Sequence, residues 1–172
     1  MPPFPQQVAV NMELLYHVRE DDSLVGPIER EKAHAEGLLH RAGMVFLLRS
    51  DGKLLLQYRS PSRETFPDCY DSSCSFHVAY GESYEEAARR EMVEETGISA
   101  PVAYIGKFTH FDPPENEIVE VFLCHSDGAV EINLDESSAV EFCTKEEVDE
   151  IVRSKNPSPW LRDAWVLLRD KL

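Results

Sequence analysis

Residues 76–98 read FHVAYGESYEEAARREMVEETGI, and the rest of the chain is organised around them. The segment opens as a short extended run and turns at Gly81-Glu82. It continues as a helix with Ser83 as N-cap, Glu86 at the capping-box position and Gly97 as the C-terminal stop. At ~100° per residue, Glu91, Glu94 and Glu95 share one helix face. Two of these acids sit in the last turn, where the helix dipole disfavours negative charge. A solvated acidic face is one reading. A cation held against the face is the other.

The residue order favours the cation. Glu82, Arg90-Glu91, Met92, Glu94-Glu95, Gly97 and Ile98 fall in the register of a Nudix box, and the segment resembles that motif. The departure is Phe76, where the box opens with Gly. Clustered carboxylates make a hard-oxygen site for Mg²⁺ or Mn²⁺, and such a cation bridges phosphate oxygens. The resemblance implies metal binding by Glu91, Glu94 and Glu95, with Glu82 as a further ligand. It makes Arg90 the residue that orients the glutamates, against an ordinary exposed pair with Glu94 as the alternative. It implies a pyrophosphohydrolase acting on a nucleoside-diphosphate-X or another organic pyrophosphate, with Glu94, Glu95, Arg90 and Glu117 as the catalytic set. A general base is expected three residues before Phe142, but Ala139 stands there. Glu117, Glu120, Glu136 and Glu141 remain as candidates.

A second resemblance lies in the same superfamily. Type I isopentenyl-diphosphate isomerases place a metal on two N-terminal histidines, a histidine before the box helix and a Glu-any-Glu pair. Here His34, His40, His77, Glu115 and Glu117 occupy comparable positions, and PSPWLRDAW (157–165) is similar to that family's tryptophan-bearing C-terminal segment. The His34–His40 spacing is one residue short. Aligned on His77, the isomerases' catalytic cysteine position holds Ser75. Cys74 is one residue earlier and faces the other way if this run is a strand. A hydroxyl is a far poorer acid than a thiol, and the box is complete, so hydrolysis is the first reading and isomerisation the alternative. A binding module without catalysis is the third, disfavoured by the intact glutamates.

The whole chain bounds these readings. Its 172 residues and 42% hydrophobic content suit one domain with a real core. A net charge of −15 argues against a nucleic-acid polymer or an anionic membrane as partner, and leaves room for a small diphosphate bridged by cations. No signal peptide or membrane-spanning run is visible. Cys69, Cys74, Cys124 and Cys143 show no CxxC spacing and read as reduced thiols, implying a cytoplasmic protein.

In order, the sequence suggests a loose arm (1–11), a β-hairpin (12–28) that could serve a homodimer contact, and a short helix (29–36). A strand pair (40–49, 53–59), a loop (60–68) and a strand (71–79) lead into the box helix. Two further strands (101–111, 117–125), a short one (139–142) and C-terminal helices (144–172) complete it. Trp160 and Trp165 read as core anchors, and His110, Phe111 and Asp112 as a candidate rim of the substrate mouth. The expected class is α+β, a Nudix-type α/β/α sandwich with a curved mixed β-sheet.

Overall fold

The computed structural model describes residues 12–172. The proposed arm at 1–11 lies outside the described residues. The fold is α+β, built on β3 (His40–Leu48). That strand runs parallel to β8 (Glu115–His125), in register from His40↔Glu117 to Leu48↔His125. On its other edge it pairs antiparallel with β6 (Cys74–His77), from Ala42↔His77 to Val45↔Cys74. β7 (Val102–Asp112) lies antiparallel to β8. β4 (Leu54–Arg59) continues from the end of β3 and carries β5 (Tyr70–Asp71) and β9 (Ser137–Cys143). β1 (Leu14–Val18) meets β3 at His17↔His40 and pairs with β2 (Leu24–Glu29), so among the described residues nine strands share one mixed sheet.

Strand alternation sends side chains to two cores. Ala42, Met44, Phe46, Val119, Val121 and Leu123 pack against α3 (Lys145–Ser154) and α4 (Pro159–Leu168) through Val148, Ile151, Leu161, Ala164 and Leu168. Val45, Leu47, Phe122 and Cys124 pack on the opposite face against Ala87, Ala88 and Met92 of α2 (Tyr84–Thr96). The result is a three-layer sandwich. α1 (Arg30–Glu36) buries Ala33 on Leu15 and Ile28 of the hairpin.

Local chemistry sets the helix ends. The Ser83 hydroxyl accepts the Glu86 amide at 3.1 Å, and the Ser83 amide donates to Glu86 at 2.8 Å, closing the capping box. Gly97 ends α2 in the left-handed region, φ +72°. α3 carries an equivalent box between Thr144 and Glu147.

The strand expected over 71–79 is two strands. Ser73 interrupts it: its hydroxyl donates to the Leu55 carbonyl at 2.6 Å and accepts the Leu47 amide at 2.7 Å. These bonds replace ladder bonds where β3 and β4 diverge, so β5 joins β4 and β6 joins β3. The strand expected to begin at 117 begins at Glu115, because Pro113-Pro114, with a cis bond, makes a two-residue turn from Asp112. Glu115 and Glu117 therefore lie two apart on one strand and share a face. Among the described residues, no helix is long and apolar enough to cross a membrane.

Candidate active site

A cleft of about 420 Å³ opens beside β3 and β6. Its floor is Ala42, Met44 and Val119, and Trp160 at the start of α4 borders it. One wall carries His77, Glu115 and Glu117, and another carries Glu91 and Glu95 of the box helix.

The topology assembles the first group. His40 begins β3, and Glu117 is its partner on β8. His77 ends β6 opposite Ala42. His34 comes from α1, whose Gly37 cap (φ +62°) turns the chain into β3. The His34, His40 and His77 rings form a near-equilateral triangle with centroids 5.0–5.2 Å apart. His77 Nε2 lies 3.3 Å from Glu115 and 3.1 Å from Glu117. His34 Nε2 is 3.3 Å from Glu115, and His40 Nε2 is 3.6 Å from Glu117.

His40 is fully buried, and its Nδ1 lies 2.8 Å from the Leu38 carbonyl. A carbonyl only accepts, so Nδ1 carries the proton and the Nε2 lone pair faces the cluster. The Nε2 atoms of His34 and His40 are buried without a hydrogen-bond partner. Orphaned polar atoms inside a protein are costly, and a cation among these groups would satisfy both. Donor atoms of His34, His40, His77 and Glu115 all lie within 4.8 Å of one another. The residues thus fit a divalent metal.

The charges agree. Burial lowers the pKa of His77, but hydrogen bonds to Glu115 and Glu117 outweigh it and raise it to about 9. Burial pushes Glu115 up, and the facing His34 and His77 more than reverse this, leaving it well below the usual carboxylate range. Glu117 is likewise lowered, by His40 and His77 against burial. Without a cation, the protonated His77 imidazole offsets one of the two carboxylate charges, and the cluster keeps a net negative charge.

The box contributes differently at each position. Glu95 is buried at 5% exposure, and burial raises its pKa to about 8 despite a 3.0 Å bond from Gln57. Burial also raises Glu91, partly offset by Arg90. Arg90 does more than make an i,i+4 pair: it donates to Glu82 at 2.7 and 3.1 Å, to Glu91 at 2.6 Å and to Glu94 at 3.2 Å. Glu94, with its side chain 56% exposed, and Glu82 sit on this outer clamp and do not line the cleft.

Of the candidate bases, Glu117 sits in the histidine cluster and Glu136 lines the cleft, ion-paired with Arg63. Glu120 pairs with Lys107 at 3.2 Å, and Glu141 accepts from Tyr70 at 3.3 Å, both away from the cleft. Trp165 is a core anchor that donates to Asp149 at 2.8 Å. Trp160, expected in the same role, also borders the cleft. His110 is buried against Trp160, while Phe111 is exposed and does not line the cleft.

Cys74 is fully buried on the α2 side, and Ser75 lines the cleft. Phe76 packs over Gly43 on the α2 side, so the missing box glycine is accommodated by a glycine on the neighbouring strand. The buried Arg59–Asp71 pair, at 3.0 Å, carried no sequence signal because its members lie on different strands outside any motif.

A family model described as NUDIX domain matches residues 38–164. An isopentenyl-diphosphate Delta-isomerase of Serratia proteamaculans is 36% identical over 108 residues, covering 63% of this chain and 60% of that protein. A prenyl-diphosphate phosphatase of Methanosarcina mazei is 32% identical over 156 residues, covering 87% of this chain and 91% of that protein. A crystal structure from Deinococcus radiodurans superposes with a TM-score of 0.76 at 30% identity, covering 91% of this chain and 98% of that one.

Proposed function

This chain belongs to the NUDIX domain family, and on that footing we propose that it is a divalent-metal-dependent hydrolase cleaving the phosphoanhydride of a small organic diphosphate. The observation that carries the reading is the composition of the cleft. It joins the His34, His40, His77, Glu115 and Glu117 cluster to the box carboxylates Glu91 and Glu95, and the β6 thiol is turned out of it. The apolar floor of Ala42, Met44 and Val119 suits a short hydrocarbon group of isoprenoid type better than a nucleoside. The Methanosarcina relative's name supports that class.

Three imidazoles and two carboxylates suit a borderline cation such as Mn²⁺, while the all-oxygen corner of Glu91 and Glu95 suits Mg²⁺. Such cations, when bound, neutralise phosphate oxygens and make phosphorus more electrophilic. The protein supplies the rest. Leu38 fixes the His40 tautomer, Arg90 holds the Glu91 carboxylate in place, and Gln57 orients Glu95. Arg63, paired with Glu136, is a cation within the cleft that can exchange its partner for a phosphate.

Isomerisation of isopentenyl diphosphate is the second reading, favoured by the same histidine–glutamate cluster and by the Serratia relative. The orientation of Cys74 weighs against it. Product analysis decides between the two. Isopentenyl diphosphate, dimethylallyl diphosphate and a nucleoside diphosphate sugar are each incubated with protein and Mn²⁺ or Mg²⁺, and followed by ³¹P NMR. Hydrolysis gives inorganic phosphate and a monophosphate from either C5 diphosphate, and a nucleoside monophosphate and a sugar phosphate from the nucleoside diphosphate sugar. Interconversion of the two C5 diphosphates without phosphate release would establish the second reading instead.

A further inference from the structure

We propose that the Ser75 hydroxyl, oriented by the buried Asp71, aligns the water whose oxygen bonds to the terminal phosphorus as the bond from that phosphorus to the bridging oxygen breaks, with the organic monophosphate leaving and the water's other proton passing to Glu91 of the cleft wall. The inference rests on the hydrolase reading and adds to it the residue that presents the nucleophile.

Three positions along β6 locate Ser75. Cys74, at its start, points towards α2, where burial raises its pKa and the nearby Glu95 and Glu91 raise it further. His77, at the end, belongs to the histidine–glutamate cluster. Ser75 shares a strand face with His77 and lines the cleft between the two groups. A diphosphate spanning the histidine cluster and the box carboxylates passes over it.

The hydroxyl is held from behind. Ser75 Oγ donates to Asp71 Oδ2 at 3.3 Å. Asp71 is 2% exposed, and its other acceptor positions are taken. Arg59 donates to Oδ2 at 3.0 Å, while the Ser72 amide and the Ser158 hydroxyl donate to Oδ1 at 2.8 and 3.1 Å. Arg59 is fixed in turn by the Phe66 and Thr65 carbonyls, at 3.0 and 2.8 Å. A carboxylate so constrained can only accept. Ser75 therefore commits its proton to Asp71 and turns its lone pairs to the cleft, where they accept a hydrogen bond from water. A thiol in that place would be a much weaker acceptor. Ser75 is thus a catalytic residue in this scheme, and Asp71 a positioning residue.

The test is steady-state kinetics of phosphate release from dimethylallyl diphosphate by wild type, Ser75→Ala, Ser75→Thr and Ser75→Cys, with Mn²⁺ titrated into each protein. Loss of one orienting contact is expected to lower kcat about 10–100-fold in Ser75→Ala and Ser75→Cys. KM and Mn²⁺ affinity should change by less than about threefold, because neither involves the water. Ser75→Thr, which keeps the hydroxyl, should recover most of kcat. Unchanged kcat in Ser75→Ala overturns the assignment, as does a loss expressed in KM or in Mn²⁺ affinity. A wild-type protein that releases no phosphate from this or any other small diphosphate removes the hydrolase reading together with it.

Discussion

Cys74 and Ser75 are neighbours on β6 and face opposite sides of the sheet. The thiol is sealed in the core against α2, and the hydroxyl lies in the cleft. Burial, followed by the charge of Glu95, raises the thiol's pKa well above its ordinary value, which makes it unreactive as well as inaccessible. Cys74→Ala should therefore leave phosphate release per folded molecule unchanged, while the small cavity costs about 1–2 kcal/mol of stability. Activity assays beside chemical denaturation check this. A folded variant without turnover would return the thiol to the chemistry.

Gly43 and Phe76 set a packing limit. A Cβ on Gly43 would lie 2.4 Å from the Phe76 ring, on the strand pair that positions His77. Gly43→Ala should destabilise the fold by about 1–3 kcal/mol through overpacking. Combining it with Phe76→Leu, which shortens the obstructing side chain, should recover part of the loss. Melting temperatures of the single and double variants measure it.

These two relationships show how far the sequence could be read. Helix caps, strand alternation and the box rest on local spacing, so α2 and the α/β/α layering were legible, while the five histidine and glutamate positions were reached only through the resemblance to the isomerases. The break at Ser73 was not, because its cause is a hydroxyl reaching Leu47 and Leu55 on other strands. The Asp71 hub was equally silent, since Arg59, Ser75 and Ser158 meet only after folding. The box spacing also could not separate Glu91 and Glu95, which face the cleft, from Glu94, which Arg90 holds on the outside.

The titrations of Glu95 and His77 give the metal-free protein a pH dependence of one sign. The folded pKa of Glu95 is about 8 against 4.5 for the free residue, so the folded state binds more protons between those values and stability falls as pH rises through that window. The His77 contribution is full below its ordinary value of 6.5 and is lost as pH rises through about 9. In a chelator the melting temperature should be lower at pH 9 than at pH 6. Glu95→Gln should flatten the acidic part of the profile. A rise in melting temperature with pH would contradict these protonation states.

Because His77 must lose its proton to ligate, metal binding competes with protons below about pH 9. Mn²⁺ affinity should therefore increase from pH 6.5 to 8.5, with proton uptake by buffer visible in the calorimetric enthalpy. A pH-independent affinity would place the cation away from His77.

Asp22 fastens the N-terminal hairpin to the sheet. It accepts from Arg41 at 2.7 Å, from Lys107 at 2.7 Å and from the Tyr84 hydroxyl at 3.1 Å. Asp22→Ala leaves Arg41 without its carboxylate partner, while Lys107 keeps Glu120 at 3.2 Å, and should cost about 1–3 kcal/mol. The loss should appear as a lower denaturation midpoint with Mn²⁺ affinity retained, since the hairpin's turn lies away from the cleft.

The role of the histidine–glutamate cluster as the metal centre of a diphosphate hydrolase is open to one direct measurement. Mn²⁺ is titrated into chelator-treated wild type, His77→Ala and Glu117→Gln while phosphate release from dimethylallyl diphosphate is followed. The expected result is no release without metal, saturable activation of wild type, and a loss in both variants of at least about 100-fold, the upper end of what removing a residue that merely orients a metal ligand costs. Full activity in the chelator, or His77→Ala activating as wild type does, would contradict that role.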